Sequence, residues 1–179
     1  LDVKDNELTP DELIRAILRA PVDLLWNGGI GTYVKSESES HRDVGDKNND
    51  NLRINGSELR CKVMGEGGNL GFTQLGRIEF AQKAGRINTD AIDNSAGVDC
   101  SDHEVNIKIA LAPSVESKKI TLDARDKLLE QMTNEVSDLV LRDNYLQTQA
   151  ISIAEKQGAE LLESQASLMK KLGDDGLLS

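Results

Sequence analysis

The chain has 179 residues, with 31 acidic and 21 basic side chains, so its formal net charge is −10 at pH 7. This length suits about one domain, which would bury roughly two thirds of its unfolded surface. The acidic balance disfavours nucleic acid or an anionic membrane as a partner, because binding phosphates requires a basic face. No apolar run approaches the ~18 residues of a membrane span and no leader pattern precedes the first helix signal, so we expect a cytoplasmic protein.

The two cysteines, Cys61 and Cys100, do not form a metal-like C-x-x-C pair or a disulfide framework, so we expect free, buried thiols. The chain opens LDVKD, without an initiator methionine, and passes directly into a helix signal. We therefore expect a piece of a longer polypeptide.

The first predicted elements are a helix and a buried strand. Thr9 and Glu12 form a capping-box pair around Pro10, which predicts a helix over residues 10–19. The short apolar run VDLLW at 22–26 predicts a strand buried on both faces of a parallel sheet. Asn27, Gly28 and Gly29 follow at the carboxyl end of this strand.

A polar stretch follows the first strand. Residues 35–51 show almost no apolar periodicity, which predicts an exposed, mobile excursion. LRINGSELR, with Asn55-Gly56 at its centre, predicts a small hairpin.

The next stretch has the order of a strand–helix–strand unit. RCKVM at 60–64 predicts a second parallel strand, and TQLGRIEFAQKAG predicts a helix with an apolar stripe of Leu75, Ile78 and Ala81 and a closing Gly85. RINTDAI at 86–92 predicts a third strand, followed by a small-residue turn at 93–97. Small, polar loops thus follow three strands, at the sheet edge where ligands bind in open parallel sheets.

The stretch VMGEGGNLGFT at 63–73 places a cluster of glycines after the second strand. A dinucleotide fingerprint requires G-x-G-x-x-G, but here Leu70 stands at the position of the third glycine. A cofactor contact and a plain turn both remain open on this pattern alone.

DCSDHE at 99–104 allows two interpretations. Asp99, Asp102 and His103 would share one helix face, as metal ligands could. Acids and Ser101 in the first turn of a helix would instead satisfy free amides and complement the helix dipole, and we favour this interpretation over a metal site. Hydrolase chemistry is disfavoured, since the sequence has no G-x-S-x-G elbow.

From Thr121 the sequence becomes helical, with apolar residues at helical spacing and Glu and Lys between them. Such a stripe is typical of a core or an interface, and self-association would cover it if no other part of the polypeptide does. We accordingly predict an α/β domain over 1–112 and a C-terminal helical segment over 113–179.

Three long blocks resemble the very large bacterial NAD-dependent glutamate dehydrogenases: DLLWNGGIGTYVK, KVMGEGGNLGFTQLGRIEFA and INTDAIDNSAGVDCSDHEVNIKI. The resemblance covers roughly residues 9–153. Within the wider superfamily it implies the later half of a nucleotide-binding domain, that is, a partial Rossmann-like parallel sheet followed by a helical tail. Glu66-Gly67-Gly68-Asn69 matches the family's E-G-A-N loop with Gly68 in place of alanine, and Asn94-Ser95-Ala96-Gly97-Val98 matches its N-A-G-G-V turn with two substitutions.

The resemblance implies the roles of individual residues. Asn69 and Asn94 would bind the nicotinamide-ribose end of NAD, while Asn27, Gly28, Gly29, Gly67 and Gly68 would lie against the cofactor. Asparagine suits this role because it offers a donor and an acceptor. Ser101 falls where the family places a serine that holds the distal carboxylate of the substrate. The family's pyrophosphate fingerprint and catalytic lysines and aspartate have no match in this sequence, so we expect no catalytic residue here and an inactive isolated segment.

The function implied is part of the oxidative deamination of L-glutamate to 2-oxoglutarate and ammonia with NAD, within a homo-oligomeric parent enzyme. A non-catalytic assembly module is the alternative that the helical stripe favours. A different amino-acid dehydrogenase is a third possibility, which Ser101 argues against because an aliphatic substrate has no distal carboxylate.

Overall fold

The computed structural model describes residues 1, 3 and 7–178, which form two compact units, Leu1–Asp99 and Cys100–Ser179. The fold is mixed α/β with a small parallel sheet. The division after Asp99 separates compact units and does not define the end of a nucleotide-binding domain. The domain boundary predicted after residue 112 therefore stays a prediction.

The elements of the first unit are α1 (Pro10–Leu18), β1 (Leu24–Asn27), β2 (Val34–Lys35), α2 (His41–Val44), β3 (Ile54–Asn55), β4 (Val63–Glu66), α3 (Gln74–Gln82), β5 (Arg86–Ile87) and α4 (Asp90–Asp93). Short 3₁₀ turns occupy Lys47–Asn49 and Gly56–Glu58. The long helix α5 (Ser95–Glu116) begins at the end of this unit, and α6 (Leu122–Gln131), α7 (Thr133–Gln157), a 3₁₀ turn (Gly158–Leu161) and α8 (Leu162–Asp174) follow.

The capping box predicted for α1 is confirmed. The Thr9 side chain accepts a hydrogen bond from the Glu12 amide at 3.3 Å, and the Glu12 carboxylate accepts one from the Thr9 amide at 2.8 Å. These two bonds satisfy amides that a helix start otherwise leaves free.

The predicted parallel sheet is confirmed, with strand order β1-β4-β5. β4 runs from Val63 to Glu66, later than the predicted 60–64, and Cys61 packs in the core without joining the ladder. The third strand, predicted over 86–92, is wrong beyond Ile87: β5 has only two residues because the chain turns into α4 after it.

Burial of β1 on both faces was predicted and is wrong. Leu25, Met64 and Ile87 face the core with Leu18 and Phe80. On the opposite face Leu24 and Trp26 keep 56% and 57% of their surface exposed, since the described residues leave this side of the sheet open.

The excursion after β1 is more ordered than the sequence predicts. Residues 34–35 and 54–55 pair in parallel, so the predicted hairpin is wrong. The fully buried side chain of Arg53 organises the segment between them: its guanidinium donates to the Thr32 carbonyl at 2.7 Å and to the Asp50 carboxylate at 2.6 Å. A buried guanidinium needs such partners, and here the polar residues supply them.

Helix α3 turns a different face inward from the one predicted. Leu75 and Ile78 are about half exposed, whereas Gly76, Arg77 and Phe80 are buried. A side chain at position 76 would lie 2.9 Å from the Lys35 backbone, so Gly76 lets α3 approach β2 closely. The buried face was not predicted because the predicted stripe contained only apolar residues, and Arg77 was expected to be exposed.

The turn predicted at 93–97 is also wrong, apart from Asn94. Asn94 alone separates α4 from α5, and Ser95 to Gly97 form the first turn of α5. A helical turn at 90–93 places Asp90 and Asp93 on one side, where both accept hydrogen bonds from the neighbouring loop.

The second unit is helical, as predicted, and the Thr121 side chain caps α6 by accepting a bond from the Ala124 amide at 3.1 Å. Four residues of the predicted apolar stripe line a cleft of about 470 Å³ together with Ile107 of α5: Leu129, Met132, Val136 and Val140. Leu168 and Met169 of α8 are exposed. Within residues 1, 3 and 7–178, no helix combines the length and the apolar character needed to cross a membrane.

Both cysteines are free, as expected, and Cys61 is buried. The prediction of burial is wrong for Cys100, which is exposed on α5.

Candidate functional site

The loops that follow β1 and β4 lie together at the carboxyl edge of the sheet. The Gly67 amide donates to the Asn27 carbonyl at 2.8 Å, and the Tyr33 amide donates to the Gly71 carbonyl at 2.8 Å. The Thr32 hydroxyl adds a bond to the Leu70 carbonyl at 2.7 Å. Parallel pairing brings strand ends to one edge, and these bonds hold the two loops against each other there.

The predicted cofactor-binding residues of the first loop lie next to those of the second. The Asn27 side chain accepts a bond from the Gly29 amide at 3.1 Å, which closes a tight turn after the strand. A side chain at position 68 would lie 3.1 Å from the Gly29 carbonyl oxygen, so Gly68 allows this close approach. Gly28 is exposed and faces open space.

Asn69 and Asn94, predicted as partners at one end of the cofactor, are in direct contact. The Asn94 side-chain amide donates to the Asn69 side-chain oxygen at 2.5 Å. Among the described residues, no further hydrogen bond uses the Asn69 amide nitrogen or the Asn94 side-chain oxygen. The Asn69 amide nitrogen and the Asn94 side-chain oxygen can therefore still donate to and accept from a ligand.

Two aspartates of α4 accept hydrogen bonds from the backbone of the glycine loop, and neither was predicted as a site residue. Asp90 accepts a bond from the Leu70 amide at 2.7 Å, and Asp93 accepts one from the Glu66 amide at 3.0 Å. Leu70 takes φ 59°, a left-handed conformation that a non-glycine residue adopts at a cost. The sequence signal for these residues was a pair of acids three positions apart, directly before Asn94.

A buried ion pair lies beneath the same loop. Arg77 of α3 binds the Glu66 carboxylate with two nitrogens, at 2.9 and 3.0 Å, and the Glu66 side chain is completely buried. Burial raises the pKa of Glu66, and the paired guanidinium limits that rise. The sequence signal for this ion pair was Glu66 at the end of an apolar strand, since a buried charge there needs a partner.

Trp26 covers the glycines on the opposite face of the sheet. A side chain at position 65 would lie 2.4 Å from the indole ring, and one at position 67 would lie 2.6 Å from its nitrogen. Gly65 and Gly67 are therefore required by the tryptophan as well as by the loop.

Ser101 is exposed on the second unit, as the seventh residue of α5. Its predicted place at a helix start is wrong because α5 begins six residues earlier. The helix dipole therefore does not support anion binding at Ser101, and the role of this residue rests on the resemblance alone. His103, two residues on, pairs with Asp143 of α7 at 3.8 Å.

These features define a mixed α/β protein that gathers asparagines and glycines from two strand ends and from the α4–α5 junction at one edge of a parallel sheet. The family model for the catalytic domain of bacterial NAD-glutamate dehydrogenase matches residues 1–154. The chain belongs to this family.

The chain is also similar to proteins named NAD-specific glutamate dehydrogenase. Identity is 57% over 177 residues with that of Pseudomonas aeruginosa, 58% over 166 residues with that of Mycobacterium tuberculosis and 60% over 153 residues with that of Halomonas elongata. These matches cover 99%, 93% and 86% of the chain, but only 10–11% of each relative.

Proposed function

We propose that this chain is a carboxyl-proximal segment of a large NAD-dependent glutamate dehydrogenase and forms part of its cofactor and substrate site. The sheet is then the later half of a Rossmann-like nucleotide-binding domain. The parent enzyme oxidises L-glutamate to 2-oxoglutarate and ammonia as a cytoplasmic homo-oligomer. The similarity to relatives of that name along nearly the whole chain supports this proposal.

The observation that carries the proposal is the Asn69–Asn94 contact. Because the two side chains touch, the remaining Asn69 donor and Asn94 acceptor suit a carboxamide, which offers one of each in return, and NAD carries a carboxamide on its nicotinamide ring. Bound NAD supplies the ring that accepts the hydride from the α-carbon of the substrate. The asparagine pair fixes the orientation of that ring, and Asn27, Gly28, Gly29, Gly67 and Gly68 let the cofactor approach the backbone.

Ser101 binds the distal carboxylate of glutamate in this proposal. Its hydroxyl is exposed on α5 and can donate to an anion. A hydrogen bond to a charged group is worth more than one between neutral groups, so one hydroxyl suffices to discriminate a dicarboxylic from an aliphatic substrate.

The test is glutamate-dependent reduction of NAD by the full-length protein that contains this chain. Asn69→Ala and Asn94→Ala should each lower kcat/KM roughly three- to tenfold, the loss expected for one neutral hydrogen bond. The double variant should lose less than the product of the two factors, because the residues act as one unit.

Asn106→Ala, an exposed asparagine on α5, is the matched control and should leave kcat/KM unchanged. A full-length protein that does not reduce NAD with glutamate would refute the proposed function. Independent, multiplicative losses at Asn69 and Asn94 would refute the role of the pair.

A further inference from the structure

The buried side chains of Glu66 and Arg77 and the partly exposed side chain of Asp90 form one connected group, here called the Arg77 cluster. The Nε and Nη2 of Arg77 bind the two oxygens of the Glu66 carboxylate, and the same Nη2 lies 3.2 Å from the Asp90 carboxylate. The exposed fractions of the three side chains are only 0%, 9% and 17% in that order. One guanidinium thus connects the end of β4, helix α3 and helix α4.

Asp90 carries the connection to both asparagines of the candidate site. Its carboxylate accepts the Leu70 amide, next to Asn69, at 2.7 Å, and its backbone carbonyl accepts the Asn94 amide at 2.9 Å. A displacement of Asp90 therefore moves Asn69 and Asn94 together. Because Leu70 holds a left-handed conformation, the loop needs such an external bond to keep its shape.

We propose that Arg77 is a positioning residue for the nicotinamide end of NAD, acting through Glu66 and Asp90 on the Asn69–Asn94 pair. This inference rests on the proposed function. Arg77 itself lies beneath the loop and does not need to contact the cofactor.

Orientation explains this cluster better than stability does. The cost of removing charges from water offsets most of the attraction within a buried ion pair, so such a pair is a weak source of net stability. A planar guanidinium that binds a carboxylate through two nitrogens fixes the angle between the elements that carry them, which an ammonium cannot do.

The experiment measures the Kd for NAD and the separate KM values for NAD and glutamate in the full-length protein. Arg77→Lys keeps the charge and loses the two-nitrogen geometry. It should raise the Kd and the KM for NAD by about tenfold, the lower end of the loss typical when a residue that orients a metal ligand is replaced. The KM for glutamate at saturating NAD should change by less than about threefold.

A second variant covers the case in which Arg77→Lys does not fold. Arg77→Met combined with Glu66→Gln removes both charges, so that neither is left buried without a partner. It should show the same increase in the Kd for NAD.

Arg19→Met is the matched control, because Arg19 also binds a carboxylate, that of Glu58, but joins α1 to the turn at Gly56–Glu58. It should leave the Kd for NAD unchanged. An unchanged Kd in the Arg77 variants, or an equal change in Arg19→Met, would overturn the inference. A full-length protein that binds NAD but does not oxidise glutamate would refute the proposed function alone, since the Kd still tests Arg77.

Discussion

At the scale of single residues, the two asparagines and the serine that the family resemblance selects differ in how far the structure supports them. Asn69 and Asn94 are 25 positions apart in the sequence, yet their side chains touch. Ser101 lies inside α5, which begins at Ser95, so it is not at the helix start where an anion would be favoured. The physical case for the asparagines is now stronger than the case for the serine.

The position of Ser101 sharpens the test of its role. Ser101→Ala in the full-length protein should lower kcat/KM for glutamate roughly ten- to a hundredfold, the loss expected for a hydrogen bond to a charged group. It should lower kcat/KM for norvaline, which lacks the distal carboxylate, much less. Alanine is the better helix former at an interior position, so the melting temperature should stay equal or rise.

Ser164→Ala, an exposed serine within α8, serves as the control and should alter neither substrate. Equal losses with glutamate and norvaline would mean that Ser101 does not bind the distal carboxylate.

At the scale of elements, the sequence predicts what local rules determine. The capping box of α1 follows from a pattern of a few residues, and the parallel sheet follows from the order of strand, helix and strand along the chain. The inward face of α3 could not be predicted, because it depends on contact of Gly76 with Lys35, a residue 41 positions earlier. The ion pairs of Arg53 and Arg77 were not predicted either. A charged residue in a polar or amphipathic stretch is expected to be exposed unless its partner is known.

Glu79 ties α3 to the segment that was expected to be mobile. Its carboxylate accepts bonds from the Ser36 hydroxyl and the Glu37 amide, both at 2.7 Å, and from the Ser57 amide at 2.6 Å. Burial alone would raise the pKa of Glu79, but these donors outweigh it and lower the pKa to about 2.

A carboxyl whose pKa is lowered on folding stabilises the fold above its unfolded pKa of about 4.3 and loses that contribution as the pH falls towards its folded value. Glu79→Gln should therefore lower the urea midpoint at pH 7 and have little effect near pH 2. Fluorescence of Trp26, the single tryptophan, reports unfolding of the first unit. Glu37→Gln, an exposed neighbour, is the control, and a Glu79→Gln effect that does not depend on pH would contradict this assignment.

For the whole molecule, the open sheet face and the candidate site have the same explanation, that the chain is part of a larger enzyme. Leu24 and Trp26 are exposed on a sheet whose other face is packed, and the chain corresponds to about a tenth of its relatives. The pyrophosphate fingerprint of the family has no match in this sequence. We therefore propose that this chain supplies one part of the NAD site, the carboxyl-edge loops and the asparagine pair, within a larger enzyme.

Hydrogen exchange of the full-length protein, with and without NAD, shows whether these loops bind the cofactor, because it locates contacts without depending on turnover. We predict that NAD slows exchange of the backbone amides at 28–29 and 67–70 and around Asn94. The exposed helix α8 (Leu162–Asp174) should exchange at the same rate in both states. Protection by NAD elsewhere in the protein, with unchanged exchange at these three loops, would contradict the assignment of the site.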